Sequence, residues 1–205
     1  MRRDRSAQIG GIVLIFLACV STSCLDGSAQ GNKPVREEKV YIEYFGPPPT
    51  LNEMVLKADA VVLGRFVGAI PRDEDFPGKP QARIRTGFRL KVIELFHAFG
   101  DHPVNSPEIS VIREGGDRDR GAYVERVNPV GFPVFEIGKE YILFLRFQSA
   151  LTWAPAFGPD GVFQLENGRI STTGSSKVAA GHNGKTAEEF QQTLRNYGIA
   201  KDRAH

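Results

Sequence analysis

Residues 83–95 read Arg-Ile-Arg-Thr-Gly-Phe-Arg-Leu-Lys-Val-Ile-Glu-Leu. Ile84, Phe88, Leu90 and Val92 share one parity, and Arg83, Arg85, Arg89 and Lys91 share the other. Successive side chains of a strand point to opposite faces, so this alternation predicts a strand with one buried and one wet face. Such strands belong to antiparallel sheet. Upstream, Ala60–Ile70 (Ala-Val-Val-Leu-Gly-Arg-Phe-Val-Gly-Ala-Ile) is rich in β-branched residues and predicts a second strand. Gly64 in its middle fits either a bulge at a barrel corner or a plain strand that tolerates a glycine.

The flanks carry weaker but consistent signals. A short apolar run, Val40–Phe45, predicts a first strand, and Pro47-Pro-Pro49 forces extended backbone after it. Thr50 with Glu53 forms a capping box for a short helix through Lys57, with Leu51, Met54, Val55 and Ala58 at helical spacing. Residues 71–81 read as loop. Pro107–Arg113 predicts a third strand, and 114–131 a charged, glycine-bearing loop. Tyr141–Phe147 is apolar on both faces, as a central strand is. Trp153–Phe157, Val162–Leu165 and Arg169–Ser171 predict short strands, with turns at Pro159-Asp-Gly161 and Asn167-Gly168. Residues 173–185 read as loop. Thr186 with Glu189 opens a last helix carrying Phe190, Leu194 and Tyr197 on one face, and Gly198 is expected to stop it. No βαβ alternation is present. The expected fold is mainly β: a small antiparallel β-barrel with a short N-terminal helix and a C-terminal helix, OB-like by the resemblance that follows.

Three segments carry a resemblance. Ala58-Asp-Ala-Val-Val-Leu-Gly-Arg-Phe-Val67, Phe88-Arg-Leu-Lys-Val-Ile-Glu-Leu-Phe96 and Gly138-Lys-Glu-Tyr-Ile-Leu-Phe-Leu145 are similar to barrel strands of TIMP/netrin-like domains. The similarity spans residues 50–147 and implies a secreted OB-fold barrel of the kind also found in bacterial exported proteins. It does not extend to the metalloproteinase inhibitors' disulfide-pinned amino-terminal cysteine, which chelates a protease zinc. Here Cys24, even if made amino-terminal, would have no partner cysteine. The fold carries over and the inhibitory function does not.

The chain has 205 residues, enough for one domain, and both of its cysteines, Cys19 and Cys24, lie near its start. Arg2, Arg3 and Arg5 precede an apolar run from Ile9 to Val20, the pattern of an export signal over residues 1–23. An uncleaved membrane anchor is the competing reading. Cleavage as late as Ala29 gives a soluble product, whereas cleavage after Ser23 leaves Cys24 for lipidation; Ser21 stands where lipoprotein signals carry Leu, Val or Ile. Residues 24–37 read as a flexible tether, 38–172 as the barrel, and 173–205 as a loop and helix packed on it. The expected location is the periplasm, the envelope or the outside of the cell.

Net charge is +2. Loss of residues 1–23 removes Arg2, Arg3, Arg5 and Asp4, leaving 23 basic and 23 acidic side chains. A bulk attraction to nucleic acid is therefore not expected, and any anion binding must come from a local patch. The stripe of Arg83, Arg85, Arg89 and Lys91 is that patch. It suits an anionic glycan or an acidic protein, or else a solvated face balanced by carboxylates on a neighbouring strand. Glu114, Asp117 and Asp119 gather hard oxygens in a glycine loop, which suits either calcium or, given the interposed arginines, a salt-bridged mobile loop. Asp73-Glu74-Asp75 reads as a solvated loop, and His97 and His102 as loop histidines rather than a metal pair. Phe132, Phe135, Trp153, Phe157 and Phe163 suit a barrel core better than a ligand platform. No metal or cofactor site is expected. No G-x-S-x-G, H-E-x-x-H, Walker or dinucleotide glycine pattern occurs, so the expectation is a non-enzymatic exported binding module. A protease inhibitor acting through the barrel loops or N-terminus, and a hydrolase with an unrecognised site, are the alternatives.

Overall fold

A computed structural model of the chain describes residues 33–40, 50–72, 84–99, 104–149 and 152–202. In chain order its elements are β1 (Val35–Val40), α1 (Leu51–Lys57), β2 (Ala60–Arg72), β3 (Arg85–Ala98), β4 (Glu108–Glu114), β5 (Gly116–Asp119), β6 (Val124–Pro129), β7 (Glu140–Ser149) and β8 (Thr152–Pro155). A 3₁₀ turn (Gly158–Gly161), β9 (Val162–Glu166), β10 (Arg169–Ser171), α2 (Lys177–His182) and α3 (Ala187–Asp202) complete them.

β2 lies antiparallel between β3 and β7, and β3 pairs antiparallel with β4. β4 runs parallel to β8, which returns antiparallel to β7 and closes the ladder. Five strands thus form a closed barrel in the order β2-β3-β4-β8-β7. This is the mainly β, closed small barrel that the strand pattern predicted. Closure bends the long strands, and the β2–β3 register slips at Val61/Val62, Leu63/Gly64 and Phe66/Gly68. A Cβ on Gly64 would stand 2.7 Å from Leu90 Cγ, so the glycine allows the close approach that the bulge imposes.

β7 divides one edge between two neighbours. Glu140–Leu143 pairs with β9, which carries β10 beyond it, and the stretch from Leu145 to Ser149 pairs with β8. The β9–β10 hairpin turns at Asn167 (φ 51°) and Gly168 (φ 74°), the left-handed pair that an Asn-Gly turn supplies.

Ala60–Leu63 of β2 and Tyr141–Leu145 of β7 are buried on both faces. Inside the barrel, Val62, Phe66, Leu90, Val111, Tyr141, Leu143, Leu145 and Trp153 pack together. Outside it, Val61, Leu63, Ile142 and Phe144 meet α1, β9 and α3 through Met54, Phe163, Phe190 and Leu194. The five late aromatics are all buried, as the core reading expects. Thr50 caps α1 by accepting from Glu53 N, and Thr186 Oγ1 accepts from Glu189 N at the start of α3. Arg195 of α3 makes a two-pronged pair with Glu94 of β3 at 2.7 and 2.8 Å, fastening the last helix to the barrel wall.

Four expectations need correction. The first strand is Val35–Val40 rather than Val40–Phe45, so residues 35–37, expected as tether, belong to a sheet. Residues 41–49 lie outside the described residues. Much of the expected 114–131 loop is the β5–β6 hairpin, to which β1 adds in parallel through β6. These strands are mostly polar, β1 exposed and β6 half-buried, so they are held by backbone pairing and charge contacts and show no apolar alternation. Residues 177–182 form α2, capped by Ser176, whose Oγ accepts from Ala179 N. Lastly, α3 runs through Gly198 to Asp202. A glycine costs a helix about 1 kcal/mol and stops it only where it takes a left-handed conformation.

Candidate functional site

The three-stranded sheet β1-β6-β5 stands over one end of the barrel, and a half-open cleft of about 530 Å³ lies between them. Its lining comes from separate elements: Ala69 of β2, Thr86 and Phe88 of β3, Arg113 of β4, Asp117 of β5 and Arg126 of β6. Asn128 and Val134 complete the rim.

Several local devices build this mouth. Gly115 (φ 87°) and Gly116 (φ 137°) turn the chain sharply from β4 into β5. Gly115 N donates to Ile84 O at 2.7 Å, and Thr86 Oγ1 donates to Gly115 O at 2.9 Å. Both bonds staple the hairpin to β3. Residues 130–139 form a plug on the opposite wall. Phe135 stacks on Phe66 at 4.4 Å between ring centroids, and Phe132 packs edge-on against Phe135. Gly138 N donates to Phe66 O, and Phe66 N to Lys139 O. Tyr141 reaches the same loop, its hydroxyl accepting from Glu136 N at 3.0 Å. Burial pushes the Tyr141 phenol above its ordinary value, against the smaller opposing effect of that bond.

Arg113 is only 4% exposed. Its Nε donates to Pro133 O at 2.9 Å and its Nη2 to Phe132 O at 3.3 Å, while the guanidinium lies 5.4 Å from the Phe132 ring centre. The plug is thereby tied to β4. Across the cleft, Arg126 holds Asp117 in a fork, with Nε and Nη2 each 2.8 Å from a carboxylate oxygen. That fork keeps the Asp117 carboxyl below the usual carboxylate range and raises the Arg126 guanidinium further. Chemically, the mouth offers guanidinium donors, the Asn128 amide and an apolar floor. Among the described residues that line it, the one hydroxyl, that of Thr86, is committed to a carbonyl, and there is no histidine, serine or cysteine.

The basic stripe lies elsewhere, on the outer face of β3. Arg85 stands opposite Glu114 of β4 and pairs with it at 2.9 Å. Arg89 reaches Glu108 at 3.6 Å and spreads its guanidinium over Gly68, where a Cβ would come within 2.9 Å of it. Lys91 is in register with Glu108 on one side and with Arg65 on the other, and Arg65 pairs with Glu140. Arg83 and Cys24 lie outside the described residues, as do His102 and residues 73–75.

The acidic side chains of the 114–121 segment are drawn apart by separate cations. Glu114 goes to Arg85, Asp117 to Arg126, and Asp119 to Lys33. Lys33 and the Gly121 N–H hold the Asp119 carboxyl below its ordinary range. Among the described residues, no group of three or more metal-ligating side chains comes together. His97 lies in β3 rather than in a loop and is buried, its ring facing Phe99. Among the described residues, no helix is long and apolar enough to cross a membrane.

Of the described residues singled out from sequence as candidate sites, the cleft uses Asp117 alone. Its other members carried no local signal, because they are scattered from residue 69 to residue 134 and meet only when the barrel closes. In comparisons with known proteins, the chain matches no family model and no curated sequence.

Proposed function

We propose that this chain is an exported, non-enzymatic binding module of TIMP/netrin-like OB type that engages its partner at the mouth of the barrel. The address rests on the sequence of residues 1–23. The observation that carries the site is the mouth cleft. At about 530 Å³ it falls within the range of small-molecule pockets, and barrel mouths are a recurrent place for them. The committed Thr86 hydroxyl and the forked Asp117 carboxylate favour binding over catalysis, since neither is poised as a nucleophile or base. Carboxylates facing Arg85 and Arg89 favour the mouth over the stripe, because paired charges present little net field.

The test is a titration of the ¹⁵N-labelled mature chain with a fragment set of small organic acids, short peptides and glycan fragments. Shifts gathering on Gly116, Asp117, Arg126, Asn128 and Val134 are expected. Shifts on Arg85–Lys91 with a heparin-like oligosaccharide, abolished by Arg85→Glu with Arg89→Glu, would move the site to the stripe. Turnover of any fragment by the purified protein would overturn the non-enzymatic reading.

A further inference from the structure

We infer that the outer edge of β1 pairs with the same edge of a second copy of this chain, antiparallel about a two-fold axis at Glu37. β1 lies at the margin of the sheet β1-β6-β5, and Val35 to Lys39 are exposed. Val124 N donates to Pro34 O at 3.0 Å, which fixes the phase of the parallel β1–β6 ladder. In such a ladder one residue aims both its N–H and its C=O at the neighbouring strand, and the next aims both away. Arg36 and Glu38 thus face β6. Val35, Glu37 and Lys39 present their backbone groups outward, where no strand of the described residues pairs with them. A regular strand with one unpaired side is a template for another chain.

The side chains select the occupant. Sheet edges are commonly guarded by charge, and a guard of one sign would repel a second copy. Here both signs alternate along Arg36-Glu37-Glu38-Lys39. With Glu37 opposite its own copy, all three outward residues bond: Glu37 with Glu37, and Val35 with Lys39 in both directions. Sliding the strand by two residues either way leaves fewer such pairs within Val35–Lys39 and sets Arg36 on Arg36 or Glu38 on Glu38. The centred register instead sets Arg36 opposite Glu38 of the second copy, twice over, in the non-hydrogen-bonded positions where side chains come closest. Val35, 50% exposed, receives the aliphatic stem of the opposing Lys39. The two Glu37 carboxylates meet near the axis. Each accepts from its own Asn128 Nδ2 at 2.8 Å, and each lies diagonal to Lys39 of the other copy. The contact is self-complementary, as a two-fold interface must be, and it joins two three-stranded sheets into one of six strands. A strand of other sequence would meet unmatched charges, so the edge favours its own kind.

Sedimentation velocity of the mature chain from about 10 µM to about 1 mM should show a monomer–dimer equilibrium. Amide exchange at Val35, Glu37 and Lys39 should slow as concentration rises, while Arg36 and Glu38, already in the ladder, should not respond. Glu38→Arg and Arg36→Glu should each weaken dimerisation roughly tenfold or more, because each turns two attractive cross-strand pairs into repulsive ones. An equimolar mixture of these two variants should recover most of the wild-type affinity as a heterodimer. Lys39→Pro removes an outward donor and leaves the β1–β6 ladder intact, so it should weaken the dimer by a similar factor. All three positions are exposed, and melting curves establish that each variant is folded. A wild-type chain still monomeric at about 1 mM would overturn the inference. So would a dimer indifferent to all three substitutions, which would lie on another surface. A mixture no tighter than its two components would overturn the register.

Discussion

Gly116 occupies a backbone conformation, φ 137°, that side-chain-bearing residues rarely adopt. A Cβ there would stand 2.1 Å from Thr86 Oγ1, the hydroxyl that staples β5 to β3. Gly116→Ala is therefore expected to cost about 1–3 kcal/mol from strain, and more if the staple breaks. Gly121 (φ 79°) has open space around its Cα, so Gly121→Ala should cost only the left-handed backbone term, about 1 kcal/mol. Urea midpoints of the two variants check this, and equal losses would refute the account of the mouth. In the sequence, Gly115-Gly116 announces a turn. It cannot announce that the turn sits on a threonine twenty-nine residues upstream of the first glycine.

At the scale of elements, legibility followed burial. β3, β7, α1 and α3 each press a recognisable face into a core, and their patterns show it. β1 and β5 press none: Val-Arg-Glu-Glu-Lys-Val and Gly-Asp-Arg-Asp are held by ladder bonds and by contacts such as Arg36 over the Tyr123 ring, 4.2 Å from its centre. α2 has only Val178 and Ala179 buried, too short a face for a period. Its last residue nevertheless carries a testable consequence. The His182 ring lies 4.7 Å from the Phe190 ring of α3. Burial first, and the charge of Lys185 second, hold its imidazole below the ordinary histidine range. The folded chain thus binds this proton less readily than the unfolded chain does. The α2–α3 packing should keep its full contribution above about pH 6.5, lose it as the pH falls from there to the folded-state value, and level off below. Between about pH 7.5 and about pH 5 the wild type should lose more thermal stability than His182→Gln. An equal loss in both would remove His182 from the account.

For the molecule as a whole, β2 and β7 are the shared wall of two cores, one inside the barrel and one beneath the helices. Phe66 belongs to the first and Phe163 to the second, each fully buried. Phe66→Ala and Phe163→Ala should each cost about 3–5 kcal/mol. Because the wall is common, both should unfold in one transition. Fluorescence of the single tryptophan, Trp153 in the barrel core, should then coincide with far-UV circular dichroism, which follows the helices. Separated transitions would show two independent units. The strand pattern made a barrel legible, yet its closure rests on two β4–β8 pairs, Ser110 with Thr152 and Val111 with Trp153. Contacts so distant in sequence leave no local mark, and the mouth cleft shares that fate. The divided edge of β7 has a mechanical meaning as well. Tension entering at the C-terminal helix reaches the barrel by two routes, the Arg195–Glu94 pair on β3 and the β9 seam at Glu140–Leu143, while the β8 seam from Leu145 to Ser149 lies beyond on the same strand. A pull there loads β3 and β7 together, so helix and barrel should yield as one body.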